Sequence, residues 1–212
     1  RVYDGSIFKL EEHTSRLFHS ARRMGFDIPY SEDEINSASK KIITTQKVEN
    51  GYVRPVAWRG SEMMAISAQK GSTNIAIACW EWPTYFSPEK LMKGIKLSLS
   101  KWARPSPLSA PTDSKAAGLY MICSLSKHEA EKKGFDDALM LDYRGFIAEA
   151  TGANIFFVKK GELFTPIADC FLNGITRQTV IQIAKDNNFV VNEGHYKPEF
   201  MLNCEESFLT GT

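Results

Sequence analysis

Across 212 residues, 43% are hydrophobic and 24% charged, a globular balance that excludes a disordered chain and supplies enough core to fold without staples. Twenty-six Lys plus Arg against 25 Asp plus Glu leave a net charge of +1, which argues against a general nucleic-acid binder with its basic surplus. No apolar run reaches the roughly 18 residues of a membrane helix, since Asn74–Trp80 and Leu119–Leu125 are of strand or core-helix length.

Val2–Leu10 reads as a short strand. Glu11–Met24 reads as a helix with Leu10, Thr14, Leu17, Ala21 and Met24 along its apolar line and His13, Arg16, Ser20 and Arg23 beside it. Gly25 and Pro29 stop that helix, and Ser31 followed by Glu32, Asp33 and Glu34 caps a second one running to about Lys47. Tyr52–Trp58 and Asn74–Trp82 are strands, so the first part is α+β, with helices beside a sheet. Pro83–Lys93 breaks the pattern with two prolines and reads as an interdomain connector. A second unit opens with a strand at Gly94–Ser100 and a proline-rich loop at Arg104–Pro111. A helix at Ala116–Lys133 follows, then a hairpin of Ala138–Asp142 and Phe146–Ala150. Strands at Asn154–Val158 and Leu163–Thr165 flank a Lys-Lys-Gly turn. A helix from Gly174–Thr176 to about Asn187 precedes strands at Phe189–Asn192 and Ser207–Thr210.

Cys79, Cys123, Cys170 and Cys204 are scattered, with no Cys-x-x-Cys and no His at ligand spacing, so neither a metal site nor a disulfide framework is expected. They read as small core hydrophobes in a reduced, cytoplasmic setting. The P-loop, the dinucleotide glycine fingerprint, the hydrolase nucleophile elbow and the zincin helix all lack their signatures.

Several residues could carry chemistry. Lys115 stands among small residues at the start of an apolar helix, where the helix dipole disfavours its charge and amine nucleophilic chemistry, above all a Schiff base, is favoured. The plainer reading is a solvated surface lysine. Glu149 lies in the otherwise apolar Phe146–Ala150; facing inward it demands a cationic or N–H partner, facing outward it needs none. Gly174-Ile175-Thr176-Arg177 before a helix is a candidate anion cradle, with Thr176 otherwise an ordinary N-cap. Thr210-Gly211-Thr212 suits the same ligand as an amide nest. A Schiff-base lysine, a carboxylate, an arginine on a helix and two phosphate-type turns are together the parts that hold pyridoxal phosphate.

The order of the motifs supports that reading. Tyr52-Val53-Arg54-Pro55, Trp80-Glu81-Trp82-Pro83-Thr84-Tyr85 and Lys115-Ala116-Ala117-Gly118-Leu119-Tyr120 come first. Glu149-Ala150-Thr151-Gly152-Ala153-Asn154-Ile155-Phe156, Gly174-Ile175-Thr176-Arg177 and Leu209-Thr210-Gly211-Thr212 follow. With these blocks the chain resembles the branched-chain amino acid aminotransferases of the fold-type IV pyridoxal-phosphate enzymes. The resemblance implies an α/β (α+β) two-domain fold of the D-amino acid aminotransferase-like type. Its parts would be a small domain at 1–82, an interdomain loop at 83–93 and a large cofactor-binding domain at 94–212. It also implies transamination of Leu, Ile or Val with 2-oxoglutarate on pyridoxal 5'-phosphate, in a homodimer.

By that resemblance Lys115 is the Schiff-base lysine and proton shuttle, Glu149 the partner of the pyridine nitrogen, and Tyr120 the hydroxyl beside the cofactor's O3′. Arg16, Ile175, Thr176 and Thr212 match phosphate-binding positions, and the amides of the Thr210–Thr212 turn, Gly211 among them, would also meet a substrate carboxylate. Tyr52 and Arg54 match the pair that handles the second carboxylate of glutamate or 2-oxoglutarate. Trp82 and Tyr85 fall where the side-chain pocket is lined, although Trp82 reads equally as core. Leu119 stands where family members often carry Asn. The chain begins at Arg1 and ends at Thr212, and the family continues beyond both, so a piece of a longer protein is expected.

Other enzymes share these parts, namely (R)-amine transaminases, D-amino acid aminotransferases and aminodeoxychorismate lyases. The Arg-x-His clamp of the D-amino acid enzymes is missing, since Glu11, Leu17, Ser126 and Glu193 precede the histidines. An inactive interaction domain of the same fold is the non-enzyme alternative.

Overall fold

The structure, a computed structural model, describes residues 1–82 and 87–211. It divides into two compact units, Arg1–Glu89 and Lys90–Thr212. In the first unit the expected strand Val2–Leu10 is instead a tight hairpin of β1 (Val2–Tyr3) and β2 (Ser6–Ile7). The reason is local: Asp4 and Gly5 take φ of 47° and 73°, the left-handed pair that closes a two-residue hairpin loop.

Helix α1 (Leu10–Arg23) buries Leu10, Thr14, Ser20 and Ala21, whereas Met24, expected on its apolar line, is 44% exposed just past its end. Helix α2 (Glu32–Thr45) begins at Ser31, which forms a full capping box with Glu34, as the acidic first turn suggests. Thr14 Oγ1 donates to Asn36 Oδ1 at 2.6 Å, so the two helices also share a buried polar contact.

Strands β3 (Gly51–Arg59) and β4 (Thr73–Glu81) pair antiparallel without a slip, and the sheet order is β2-β1-β3-β4. Val53 and Cys79 pack with Val2, Ile43 and Val48 on the helix side. By alternation Tyr52, Arg54 and Trp80 occupy the other side. Gly51 is required by closeness, because a methyl group there would lie 2.3 Å from the Trp80 carbonyl oxygen and 2.6 Å from Val48.

Part of the segment read as a connector is helical, since Pro88–Lys93 forms the short helix α3. In the second unit β5 (Leu97–Leu99) is shorter than the strand expected there. It runs parallel to β6 (Asp137–Leu141), which pairs antiparallel with β7 (Ile147–Ala150). The other sheet has the order β10 (Val191–Gly194), β9 (Glu162–Pro166), β8 (Asn154–Lys159), β11 (Glu206–Thr210). Lys160 and Gly161, with φ of 52° and 75°, close the β8–β9 hairpin. Leu139, Ile147, Ile155 and Phe157 form the shared core, joined by Phe164, Tyr196 and Phe200.

Helix α4 (Met121–Lys132) is preceded by a 3-10 turn at Ala117–Tyr120, so the single helix expected from Ala116 is tightened over its first turn. Helix α5 spans Ile175–Asp186. The cysteines are free thiols; Cys123 and Cys170 are buried and Cys79 and Cys204 partly so.

The crowding at Gly51 makes a direct prediction. Gly51→Ala should lower stability by about 3 kcal/mol through overpacking against backbone. Gly152→Ala, where a methyl group meets nothing within 4 Å, should change it by less than about 0.5 kcal/mol. Denaturant unfolding of both variants beside the wild type measures the difference.

Candidate active site

The second unit collects most of the residues singled out in the sequence. Lys115 stands just before the 3-10 turn, and its Nζ donates to the Tyr120 hydroxyl at 2.6 Å. Lys115 is solvent-exposed, with its ammonium 5.0 Å from the Tyr120 ring centre. The turn explains the pairing, because its tight winding returns a side chain five residues later to the lysine.

All four residues of β7 are buried, so Glu149 points into protein whichever face it takes; it is 9% exposed. Asn154 Nδ2 donates to its Oε2 at 3.1 Å, and Arg104 Nε lies 3.3 Å from its Oε1. The arginine contact is coulombic, since among the described residues the buried Nε has no hydrogen-bond partner. Burial pushes the Glu149 carboxyl up to about 7, and the positive charges of Arg104 and Lys115 limit the rise. A carboxyl so placed is poised between acid and anion near neutral pH.

Sequence reasoning misses Arg104 and Asn154. Arg104 sits among prolines in a loop whose side-chain directions no pattern fixes; its partial strand pairing with Asp142 and its donation to Leu119 O at 3.2 Å hold it inward. Asn154 lies inside the quoted glutamate motif, and a buried carboxylate's need for donors is the signal that could have found it.

Ile175 and Thr176 form the first turn of α5, whose leading amides have no partner inside the helix. The cap is Gly174, not Thr176, and no side chain closes it. Gly174 N donates to Asn154 Oδ1 at 3.2 Å, and a methyl group at Gly174 would come within 2.1 Å of that oxygen. Arg177 of the same motif is turned into the protein, where its charge is already paired. It is 1% exposed and its guanidinium binds Thr165, Pro166 O, Asn173 and Glu193 at 2.7–3.3 Å. It is therefore a structural clamp on the β9–α5 loop. Thr210 pairs with Asn154 across the β11–β8 ladder, and among the described residues its buried Oγ1 has no hydrogen-bond partner. Gly211 follows in an exposed position. Thr212 lies outside the described residues.

The first unit holds the remaining residues. Tyr52 faces Trp80 at 5.3 Å and Trp82 at 5.8 Å between ring centres, and the two tryptophans are 5.8 Å apart. Trp82, at 37% exposure, is thus part of an open aromatic cluster rather than of the core. The Arg54 guanidinium lies 5.4 Å from the Tyr52 ring and 5.9 Å from that of Trp80. The cluster joins an apolar wall to one cation. Arg16 lies on α1, its Nη2 3.2 Å from His13 Nδ1. Tyr85 lies outside the described residues.

One further cluster, Asp142, Asp169 and Cys170, has the ligand spacing of a metal site. Arg144 occupies it, bonding both aspartates at 2.7 and 2.8 Å, and that supplies its positive charge.

The model of the amino-transferase class IV family matches residues 1–212. A probable branched-chain-amino-acid aminotransferase of Rickettsia felis is 47% identical over 212 residues, covering 100% of this chain and 72% of that protein. The chain belongs to the class IV aminotransferases. Another relative of this class IV aminotransferase, the branched-chain-amino-acid aminotransferase of Pseudomonas aeruginosa, is 38% identical over 216 residues and is covered to 70%. Among solved structures, the branched-chain amino acid aminotransferase of Escherichia coli matches with a TM-score of 0.95 at 34% identity, covering 99% of this chain and 71% of the other. An aminotransferase from Brucella abortus bound to the cofactor PLP matches with a TM-score of 0.88 at 32% identity, covering 99% and 74%. The fold is therefore the fold-type IV arrangement that the motifs implied.

In the ligand-free aminotransferase the raised Glu149 pKa has a stability consequence. Between about pH 4.5 and about 7 the unfolded chain has released this proton while the folded chain still holds it, so stability falls as pH rises through that window. The full loss is about 3 kcal/mol above pH 7. Glu149→Gln should remove that slope, so its stability relative to wild type should rise by this amount between pH 4.5 and pH 8 in urea titrations.

Proposed function

We propose that this class IV aminotransferase transfers the α-amino group of Leu, Ile or Val to 2-oxoglutarate, using pyridoxal 5'-phosphate. The observation that carries the proposal is the buried Glu149 carboxyl in the same unit as the Lys115–Tyr120 pair and the N-terminal turn of α5. These residues fit the cofactor's chemistry: an amine for its aldehyde, a carboxylate for its pyridine nitrogen, and helix N-terminal amides for its phosphate. When bound, the cofactor supplies an electron sink for the charge left when the substrate α-proton departs.

The chain's own residues do the rest. Lys115 Nζ would take and return the substrate α-proton, and the Tyr120 hydroxyl, already its partner, orients that amine. Glu149 as an anion holds a proton on the ring nitrogen; Arg104 and Lys115 favour the anion while burial opposes it. The Ile175 and Thr176 amides would bind the phosphate, and Gly211 would present an amide to the substrate carboxylate; Arg16 and Thr212 are assigned to the phosphate by the sequence motifs alone. Tyr52 and Trp82 would line the side-chain pocket, to which the sequence motif also assigns Tyr85, and Arg54 would pair with the second carboxylate of glutamate.

A cation beside an aromatic wall supports the branched-chain assignment over an (R)-amine transaminase, whose amine donors carry no second carboxylate. The homodimer and a cytoplasmic location belong to this proposal; the four free thiols support a reducing compartment. No helix among the described residues is long and apolar enough to cross a membrane.

Adding pyridoxal 5'-phosphate to the purified protein should give a visible absorption band that borohydride bleaches. Lys115→Ala should abolish that band and lower turnover at least about a thousand-fold. A donor panel with 2-oxoglutarate should show turnover of L-leucine and none of D-alanine or an (R)-arylamine; the reverse pattern selects another fold-type IV chemistry. Absence of any band at saturating cofactor would leave the interaction-domain reading.

A further inference from the structure

We infer that Asn154 is a positioning residue that fixes the distance between the carboxylate for the cofactor's ring nitrogen and the amide cradle for its phosphate. The inference rests on the pyridoxal-phosphate reading above and adds to it a residue that touches neither reacting atoms nor, in its role, the phosphate.

Three hydrogen bonds converge on this one buried amide. Nδ2 donates to Glu149 Oε2 and to Leu172 O, each at 3.1 Å, and Oδ1 accepts from Gly174 N at 3.2 Å. Asn154 is 6% exposed and stands at the first position of β8, paired with Thr210 at the last position of β11. Its side chain therefore ties β7, the loop entering α5 and the capping residue of α5 into one unit. Only an amide can do so. A carboxylate would repel Glu149 and the Leu172 carbonyl, and a hydroxyl is too short to meet partners on three segments.

Gly174 records the closeness of this tie. Its φ of −61° and ψ of 138° are open to any residue, so no backbone conformation demands glycine there. Space does, because a methyl group would sit 2.1 Å from Asn154 Oδ1. The cradle's cap has no side chain because Asn154 occupies the place of one. Moving Asn154 therefore moves both ends: displaced toward β7 it presses on Glu149, displaced toward α5 it lifts the cradle. A rigid cofactor touching both ends binds tightly only when their separation is correct, and each end alone is indifferent to it.

The test is a double-mutant cycle on the full chain read by two measurements, the Kd for pyridoxal 5'-phosphate and the 15N resonance of its ring nitrogen. Gly174→Ala alters only the phosphate end, yet it should shift the ring-nitrogen resonance and weaken binding about tenfold or more. In an Asn154→Ala background, where the methyl group has room, the same Gly174→Ala step should leave the resonance in place and change Kd by less than about twofold. Asn154→Ser, which also clears the space, serves in place of Asn154→Ala should that variant fail to fold. Equal effects of Gly174→Ala in both backgrounds, or an unmoved ring-nitrogen resonance in the single variant, would overturn the inference. A wild type that binds no pyridoxal 5'-phosphate would instead overturn the cofactor reading beneath it.

Discussion

A carboxylate inside a sheet has to be answered by its surroundings, and much of the second unit is arranged to answer Glu149. Its strand is buried along its whole length, so water cannot solvate the charge. The proline-rich loop that looks irregular in sequence brings Arg104 to one oxygen, and the start of β8 brings Asn154 to the other. Both partners are buried as well, which strengthens each contact and raises the cost of losing one. The arrangement still leaves the carboxyl part-way between its neutral and charged forms. That is an incomplete solution for a structural ion pair, and it fits the role proposed for Glu149 toward a cofactor ring nitrogen.

A second buried charge is treated differently. Arg177 is almost wholly enclosed, yet its guanidinium is met by a hydroxyl, a carbonyl, an amide and the Glu193 carboxylate. Four of its five N–H groups are answered and it is 1% exposed, which leaves it little to offer a ligand. Glu149 and Arg177 lie within one unit and show how hydrogen-bond saturation separates a framework charge from a chemical one, where burial alone does not.

Local signals make most elements legible in the sequence. The Ser31 capping box, the alternation of Tyr52–Trp58 and the Lys160-Gly161 turn each rest on neighbours in the chain, and each element forms. The first strand departs from expectation because an Asp-Gly turn hides inside a short apolar stretch. At the site, residue type and order point to Lys115, Tyr120 and Glu149. Of the two partners of Glu149, Asn154 is marked only by its place in the glutamate motif and Arg104 not at all, since both act through tertiary contact that neither periodicity nor capping signals. Thr176 reads as a cap because hydroxyls usually cap helices; here the place is taken by a glycine under pressure from a distant asparagine.

The ladder of β3 and β4 runs from Gly51–Glu81 to Arg59–Thr73 with no bulge, and its two faces have unrelated duties. One closes the hydrophobic cluster with Val53 and Cys79, and the other displays Tyr52, Arg54 and Trp80. A slip of one residue would exchange the faces, placing a guanidinium in oil and a valine at the aromatic wall. Register thus ties the display to the core: a molecule with the wrong register would lose its hydrophobic cluster along with its aromatic face. The character of that face can therefore change by exchanging side chains, whereas sliding the strands would cost the core.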